Sequence, residues 1–253
     1  APSEPFEDLD KDGYADLVVS GYQDDASCNS CYQADSYIYW GSATGYDEGT
    51  RTALESVGAK GNLVVDLNND GHLDIVFVSN YDGNHSTYSY IYWGDGSRTG
   101  FNNSPRQELF NYGGGGGGVA DLNQDGYPDL VLGGYNDGDY FAYSYIYWGN
   151  VSGYSQENRT GLNAYGTLAV DIGDLNKDGY LDLVLASYYD GNSATNSYIY
   201  WGSETGYSWL DRHTVPTYRA RDVKIADLNN DTNLDLVFAN QQTDGSYLVD
   251  SYV

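Results

Sequence analysis

A nine-residue acidic segment recurs five times along this chain, and its register constrains the fold more than any other feature. It reads DLDKDGYAD from Asp8, DLNNDGHLD from Asp66, DLNQDGYPD from Asp121, DLNKDGYLD from Asp174 and DLNNDTNLD from Asp227, at intervals of 58, 55, 53 and 53 residues. A second marker, SYIYWG, sets Trp40, Trp93, Trp148 and Trp201; in the second to fourth copies the tryptophan follows the leading aspartate by 27 positions. A third is an arginine (Arg51, Arg106, Arg159, Arg212), each 15 residues ahead of the next leading aspartate. Spacing held this closely denotes repeated structural units. They run about 4–50, 51–105, 106–158, 159–211 and 212–253, within one domain spanning 1–253.

Each unit reads as four β-strands. The runs LVVS, DIVFVS, DLVLGG, DLVLAS and DLVFAN follow the acidic loops; their unbroken apolarity predicts strands buried on both faces. Polar hairpins such as YDGN at 81–84 come next, then SYIYW, whose alternation predicts a half-buried strand. A GSATGY-type turn (41–46) leads to the arginine-marked segment and then to the strand entering the next loop, as in NLVVDL at 62–67. Four strands per unit of about 50 residues fit a propeller blade, and no window shows helical periodicity of useful length. The expectation is an all-β fold, a five-bladed β-propeller; the alternative is five units of a larger ring.

The acidic loops carry the strongest chemistry. Positions 1, 5 and 9 are aspartate in every copy: Asp8, Asp12, Asp16; Asp66, Asp70, Asp74; Asp121, Asp125, Asp129; Asp174, Asp178, Asp182; Asp227, Asp231, Asp235. Position 3 is Asp10, Asn68, Asn123, Asn176 or Asn229. Several hard oxygens on one tight turn suit Ca2+, which takes six to eight oxygen ligands in irregular geometry. About one Ca2+ per blade is expected, with a backbone carbonyl near position 7 (Tyr14, His72, Tyr127, Tyr180, Asn233) assisting. An EF-hand needs Glu at position 12, where this chain has Val19, Phe77, Leu132, Leu185 and Phe238, all within apolar strands. Asx-turns without metal are the bland alternative, and they leave the three aspartates of each loop to repel one another. The fifth loop is the weakest: Thr232 replaces the glycine of position 6, and neighbouring Asn233 is expected to take the left-handed conformation instead.

The D-x-[DN]-x-D-G-x-x-D loop before an apolar strand, with a YxYWGSxxGY turn, resembles the FG-GAP/VCBS repeat family, which includes integrin α-subunit propellers and fungal lectins. The resemblance covers essentially the whole chain. It implies calcium in the loop between the first two strands of each blade and, for most members, seven blades, from which five copies depart. It leaves the ligand open.

Alternating strand direction puts the acidic loops and WGSxxGY turns on one rim and the hairpins on the other. The second rim then collects Tyr22, Asp24, Tyr81, Asp82, Asn84, Tyr135, Asn136, Asp137, Tyr188, Tyr189, Asp190 and Asn192, with Tyr112, Tyr165 and Tyr218 from the loop after the arginine segment. Aromatic faces beside amides and carboxylates suit sugars. The expected function is a secreted, calcium-stabilised, multivalent carbohydrate-binding protein without enzymatic activity, its partner a carbohydrate or glycoconjugate. Hairpin geometry and blade packing alone are the alternative account of these residues. The competing functions are a protein-binding adhesion module and a glycan-processing enzyme using axial Asp171, Asp222 and distant Glu7. An inter-blade pair between an aspartate and Lys224 is the simpler reading of those axial charges.

A formal charge of −26 excludes nucleic acid or an anionic membrane as partner. No apolar run reaches the length of a membrane span. There is no leader of the charged-then-apolar kind, so a secretion signal is expected to have been removed or never present. Cys28 and Cys31, in the enlarged first hairpin, read as a small disulfide of an oxidising compartment, extracellular or periplasmic. Asn84, Asn102, Asn150 and Asn158 head glycosylation sequons. His72, His85 and His213 read as surface or packing residues. The run Gly113–Gly118 lacks the Lys-Ser/Thr of a phosphate loop and reads as spacing or close backbone approach.

Overall fold

The computed structural model describes residues 7–23, 32–103, 105–136, 142–189 and 195–241. These form five antiparallel sheets, one for each acidic loop. The first contains β1 (Leu17–Val19), β2 (Ser36–Tyr39) and β3 (Thr52–Leu54). The second contains β4 (Ala59–Val65), β5 (Asp74–Ser79), β6 (Thr87–Tyr92) and β7 (Gln107–Asn111). The third contains β8 (Gly113–Ala120), β9 (Asp129–Gly134), β10 (Tyr143–Tyr147) and β11 (Arg159–Asn163). The fourth contains β12 (Thr167–Gly173), β13 (Asp182–Ser187), β14 (Asn196–Tyr200) and β15 (His213–Pro216), and the fifth β16 (Ala220–Ala226) and β17 (Asp235–Asn240). Each is an up-and-down meander, and the architecture is a β-propeller of repeated blades.

The sheets are offset by one strand from the sequence units. The arginine-marked strand opens a unit in the sequence, yet β3, β7, β11 and β15 pair with the SYIYW strand before them and close the preceding sheet. Strands β5, β9 and β13 are buried along their whole length, as their unbroken apolarity predicts. The SYIYW strands differ from expectation. In β6, β10 and β14 both the tyrosines and the isoleucine are buried, because neighbouring blades cover one face and an arginine of the same sheet covers part of the other.

Four hydrophobic cores join consecutive sheets. Ile38 and Trp40 of the first blade pack with Phe77 and Tyr92 of the second. Val76 and Ile91 pack with Leu132 and Tyr147, Val131 and Ile146 with Leu185 and Tyr200, and Val184 and Ile199 with Val223 and Phe238. Burial is therefore shared between blades, as expected of a repeat whose unit cannot bury its own faces.

Polar ties run through these cores. Tyr92, Tyr147 and Tyr200 hydroxyls donate to the carbonyls of Glu55, Phe110 and Asn163 in the preceding blade, at 2.6, 2.5 and 2.5 Å. Arg51, Arg106, Arg159 and Arg212 stack over Tyr37, Tyr90, Tyr145 and Tyr198 at 4.1, 4.4, 4.1 and 4.1 Å. Arg159 also donates to the Tyr147 hydroxyl at 2.9 Å. The arginine marker thus covers one tyrosine and orients the next.

Strands β4, β8, β12 and β16 lie innermost and enclose an axial cavity of about 430 Å3. The Gly113–Gly118 run belongs to β8, and close approach explains it. A Cβ at Gly115 or Gly116 would meet the Leu168 carbonyl at 3.0 Å, and one at Gly117 would meet the Val131 carbonyl at 2.4 Å. We expect Tyr147→Phe to strip the half-buried Phe110 carbonyl of the hydroxyl donor and destabilise the fold by about 1 kcal/mol. Urea unfolding should show a lower midpoint at unchanged slope; an unchanged midpoint would show that this hydroxyl ties no blades together.

Candidate metal centre

The five acidic loops share one hydrogen-bond scheme. The position-1 carboxylate accepts the N–H groups of positions 5 and 6: Asp66 takes Asp70 at 3.2 Å and Gly71 at 2.8 Å, and Asp8, Asp121, Asp174 and Asp227 do likewise. The side-chain oxygen of position 3 accepts the N–H of position 5, whether the residue is Asp10 (3.2 Å) or Asn68, Asn123, Asn176 and Asn229 (2.8–3.0 Å). Position 5 in turn accepts the N–H of position 7, from Tyr14, His72, Tyr127, Tyr180 and Asn233. Each loop is a nest of Asx-turns that gathers side-chain oxygens around a tight bend.

Position 9 locks the bend to the blade. One oxygen of Asp16, Asp74, Asp129, Asp182 and Asp235 accepts the N–H of position 2 at 2.8–2.9 Å. The other oxygen of the first four accepts the N–H of Gly41, Gly94, Gly149 and Gly202 at 2.7–2.8 Å. These glycines follow the tryptophans, so the acidic loop and the WGSxxGY turn share a rim. Tyr154 and Tyr207 of two such turns add hydroxyl bonds to the Pro128 and Leu181 carbonyls.

The donor set fits a hard divalent cation. In the first loop Asp8, Asp10 and Asp16 each offer a carboxylate oxygen, all within 4.8 Å of one another. Asn68, Asn123, Asn176 and Asn229 make the same bond as Asp10 and present an amide oxygen in its place. Burial pushes the Asp74 and Asp129 carboxyls up to about 6, with Asp66 and Asp70, or Asp121 and Asp125, adding repulsion against two lowering backbone bonds. Asp16 and Asp182 are raised by burial as well. Bound calcium would supply the positive charge that lets these carboxylates stay ionised. Position 12 lies in β1, β5, β9, β13 and β17 as expected.

The first loop carries one acid more than the others, and the structure shows its counter-charge. Arg98, from the turn of the second blade, binds Asp10 and, at 2.8 Å, Asp12. In the fifth loop Thr232 itself adopts φ 72°, against 85–91° at Gly13, Gly71, Gly126 and Gly179. This corrects the expectation that Asn233 would take over; Asn233 is held at position 7 by its N–H bond to Asp231. Position 4 was not foreseen. Lys11, Asn69, Gln124, Lys177 and Asn230 are left-handed at φ 59–61°. Lys11, Asn69 and Gln124 reach the carbonyls of Gly71, Gly126 and Gly179 in the next loop at 2.7, 2.8 and 2.7 Å, and Lys177 reaches the Asn233 side chain at 2.9 Å.

The second rim is brought together in part. Tyr22, Tyr81, Tyr135 and Tyr188 form one row with Tyr32 and His85, at successive centroid distances of 5.7, 4.7, 4.6, 5.6 and 6.2 Å. Tyr189 lies under Arg219 at 4.8 Å. Asp82 accepts the Asn84 N–H at 2.8 Å, so these two shape the hairpin. Asn136 is buried, and Tyr112 and Tyr165 pack against inter-blade cores. The Tyr218 N–H donates to Asn240. Asp24, Asp137, Asp190, Asn192, Cys28 and Cys31 lie outside the described residues.

The axial acids are engaged by backbone N–H groups and by Lys224. Asp171 accepts the Ile225 N–H at 2.7 Å and faces Lys224 at 4.0 Å, while Asp222 accepts its neighbour Val223. Glu7 stands beside Asp16 at the first loop, its carboxyl raised by burial and by that charge. No helix among the described residues is long and apolar enough to cross a membrane.

Two outcomes follow from the loop geometry. In calcium-free buffer the folded chain keeps protons on Asp74 and Asp129 from 3.8 to about 6, where the unfolded chain has released them. Stability should therefore fall as pH rises through that window, and saturating calcium should raise the melting temperature most above it; equal melts with and without calcium at neutral pH would refute this. Separately, Thr232→Gly should relieve a left-handed β-branched residue and stabilise the chain by about 1 kcal/mol in urea unfolding, where a loss would contradict the strain.

The FG-GAP-like repeat family matches residues 8–77, 66–132, 121–185 and 175–238, each match running from an acidic loop through the next blade's second strand. Integrin alpha-6 of Gallus gallus is 34% identical over 151 residues, covering 53% of this chain and 14% of that protein. Integrin alpha-6 of Homo sapiens is 35% identical over 98 residues, covering 35% of this chain and 8% of that protein. The chain thus spans a small part of the length of these relatives. The V. cholerae biofilm matrix protein Bap1 aligns with 89% of this chain and 34% of its own, at 18% identity and a TM-score of 0.44. With the family match running through all five acidic loops, the chain belongs to the FG-GAP-like repeat family.

Proposed function

We propose that the chain is a calcium-stabilised, non-enzymatic binding module of an extracellular protein, and that its ligand is a carbohydrate taken by the rim opposite the acidic loops. The observation that carries this reading is the aromatic row from Tyr22 to Tyr188, which crosses four blades without a break. Edge-to-face and tilted packing holds these rings in place at little entropic cost, and Tyr22 remains 40% exposed. Apolar C–H faces of pyranose rings match such a surface, and adjacent weak contacts add through avidity. The acidic loops serve the opposite rim, so ion binding supports the blades without touching the ligand.

A protein ligand is the second reading, favoured by the likeness to integrin alpha-6, because tyrosine and arginine are also what protein interfaces concentrate. A glycan array in calcium buffer tests the choice. Sugars should be retained without release of reducing ends, and Tyr22→Ala should weaken retention while leaving the melting temperature in place. An empty array with saturable binding to a protein would replace the carbohydrate reading by the adhesion reading. Released reducing sugar would replace it by an enzyme.

A further inference from the structure

The few basic residues are almost all committed. Of eleven, Arg51, Arg106, Arg159 and Arg212 clamp tyrosines, Lys11 and Lys177 bridge acidic loops, and Arg98 neutralises the first. The remaining four, Lys60, Arg219, Arg221 and Lys224, lie on or beside the inner strands of the second and fifth blades. Lys224 faces Asp171. The other three have no carboxylate partner among the described ion pairs, in a chain of charge −26.

Their backbone positions are specialised. Arg219 stands eight residues before its leading aspartate, where other copies have Gly58, Gly113 and Gly166, all left-handed at φ 54–62°; Arg219 adopts φ 50°. A long side chain is thus held in a conformation that three sister blades reserve for glycine, and its Nε is buried without a hydrogen-bond partner. Lys60 and Arg221 occupy a second equivalent position, filled by Gly115 and Leu168 elsewhere. In both blades, as at Leu168 of the fourth, the register slips there: Ala59 pairs with Ser79 and Gly61 with Val78, Ala220 with Asn240 and Asp222 with Ala239. Lys60 and Arg221 are the bulged residues, and bulges re-aim side chains.

These groups converge where the aromatic row ends. Arg221 stacks on Tyr188 at 4.3 Å and donates to its hydroxyl at 3.3 Å, while Arg219 covers Tyr189 at 4.8 Å. The Lys60 stem lies over Gly115, its Cδ 3.6 Å from where a Cβ would sit. Desolvation and the Arg221 charge hold the Lys60 ammonium below its ordinary range. The nearby acids are Asp222, turned to its own backbone, Asp171, spent on Lys224, and Asp82, engaged in its hairpin. Arg221 and Asp222 line the axial cavity, whose volume suits a small ligand.

We propose that Lys60, Arg219 and Arg221 form an anion-recognition site at the mouth of the axial cavity, taking the carboxylate of an acidic saccharide whose rings lie along the row ending at Tyr188. This rests on the carbohydrate reading above and adds its charge. A guanidinium held against a ring is preorganised for a carboxylate. The site acts within about one Debye length, roughly 8 Å at physiological salt, so the acidity of the whole molecule slows encounter without cancelling contact.

The test titrates the full calcium-loaded chain with uronate- and sialate-bearing oligosaccharides, their carboxyl methyl esters, neutral oligosaccharides and poly-glutamate. Acidic saccharides should bind, their esters should bind at least about tenfold more weakly, and affinity should fall with salt. Arg219→Gly and Arg221→Leu install residues that sister blades carry at the same positions. Each should keep or raise the melting temperature while weakening the acidic saccharide about tenfold or more. Equal binding of acid and ester, or of neutral sugars alone, would overturn this site and leave the carbohydrate reading standing. Binding of poly-glutamate in place of every saccharide would replace the sugar by an acidic peptide. No binding by any saccharide would remove both readings.

Discussion

A buried carboxylate, repeated once per blade, holds the architecture in register. The aspartate at position 9 begins the second strand and accepts backbone N–H groups from its own loop; in four copies it also accepts one from the turn that closes the rim. Three separate segments thereby meet on one side chain. Such a carboxylate is costly to ionise away from water, and two N–H bonds do not cancel that cost at Asp74 or Asp129. The surrounding oxygens add repulsion. A cation bound there would relieve that cost, and would tie ion binding to blade geometry.

Between blades the economy is different. The cores shared by neighbours are apolar, yet the first three are each crossed by a tyrosine hydroxyl reaching back to the preceding blade. The arginine over the adjacent tyrosine has two functions, covering an aromatic face and fixing that hydroxyl. Lysine could carry the charge at this position but not the planar stack. Hence the four arginines hold register with the leading aspartates that follow them while surrounding residues vary.

Much of this was legible in the sequence because the same error cannot be made five times. Loops, second strands and rim assignment follow from residue types at fixed spacing. What was not legible is what happens between copies. The burial of Tyr90, Tyr145 and Tyr198 depends on an arginine of the same sheet and on the preceding blade, which periodicity within one strand does not report. Thr232 reads as a defect because glycine is the usual left-handed residue, yet four bonds shared with the other loops impose the conformation on it. Arg98, Tyr32 and His85 sit at unrepeated positions, and an unrepeated residue carries no register signal. Arg219 is the instructive case: it replaces a glycine, and only alignment of the copies by their leading aspartates marks the exchange.

The position-4 side chains give the loop-bearing rim a polarity. Lys11, Asn69, Gln124 and Lys177 each reach forward, and every receiving atom belongs to the following copy. A row built this way has a direction: each loop gives from position 4 and is received at position 6 or 7 of the loop that follows. The bridges therefore run one way around the rim, from each copy to its successor, and never back.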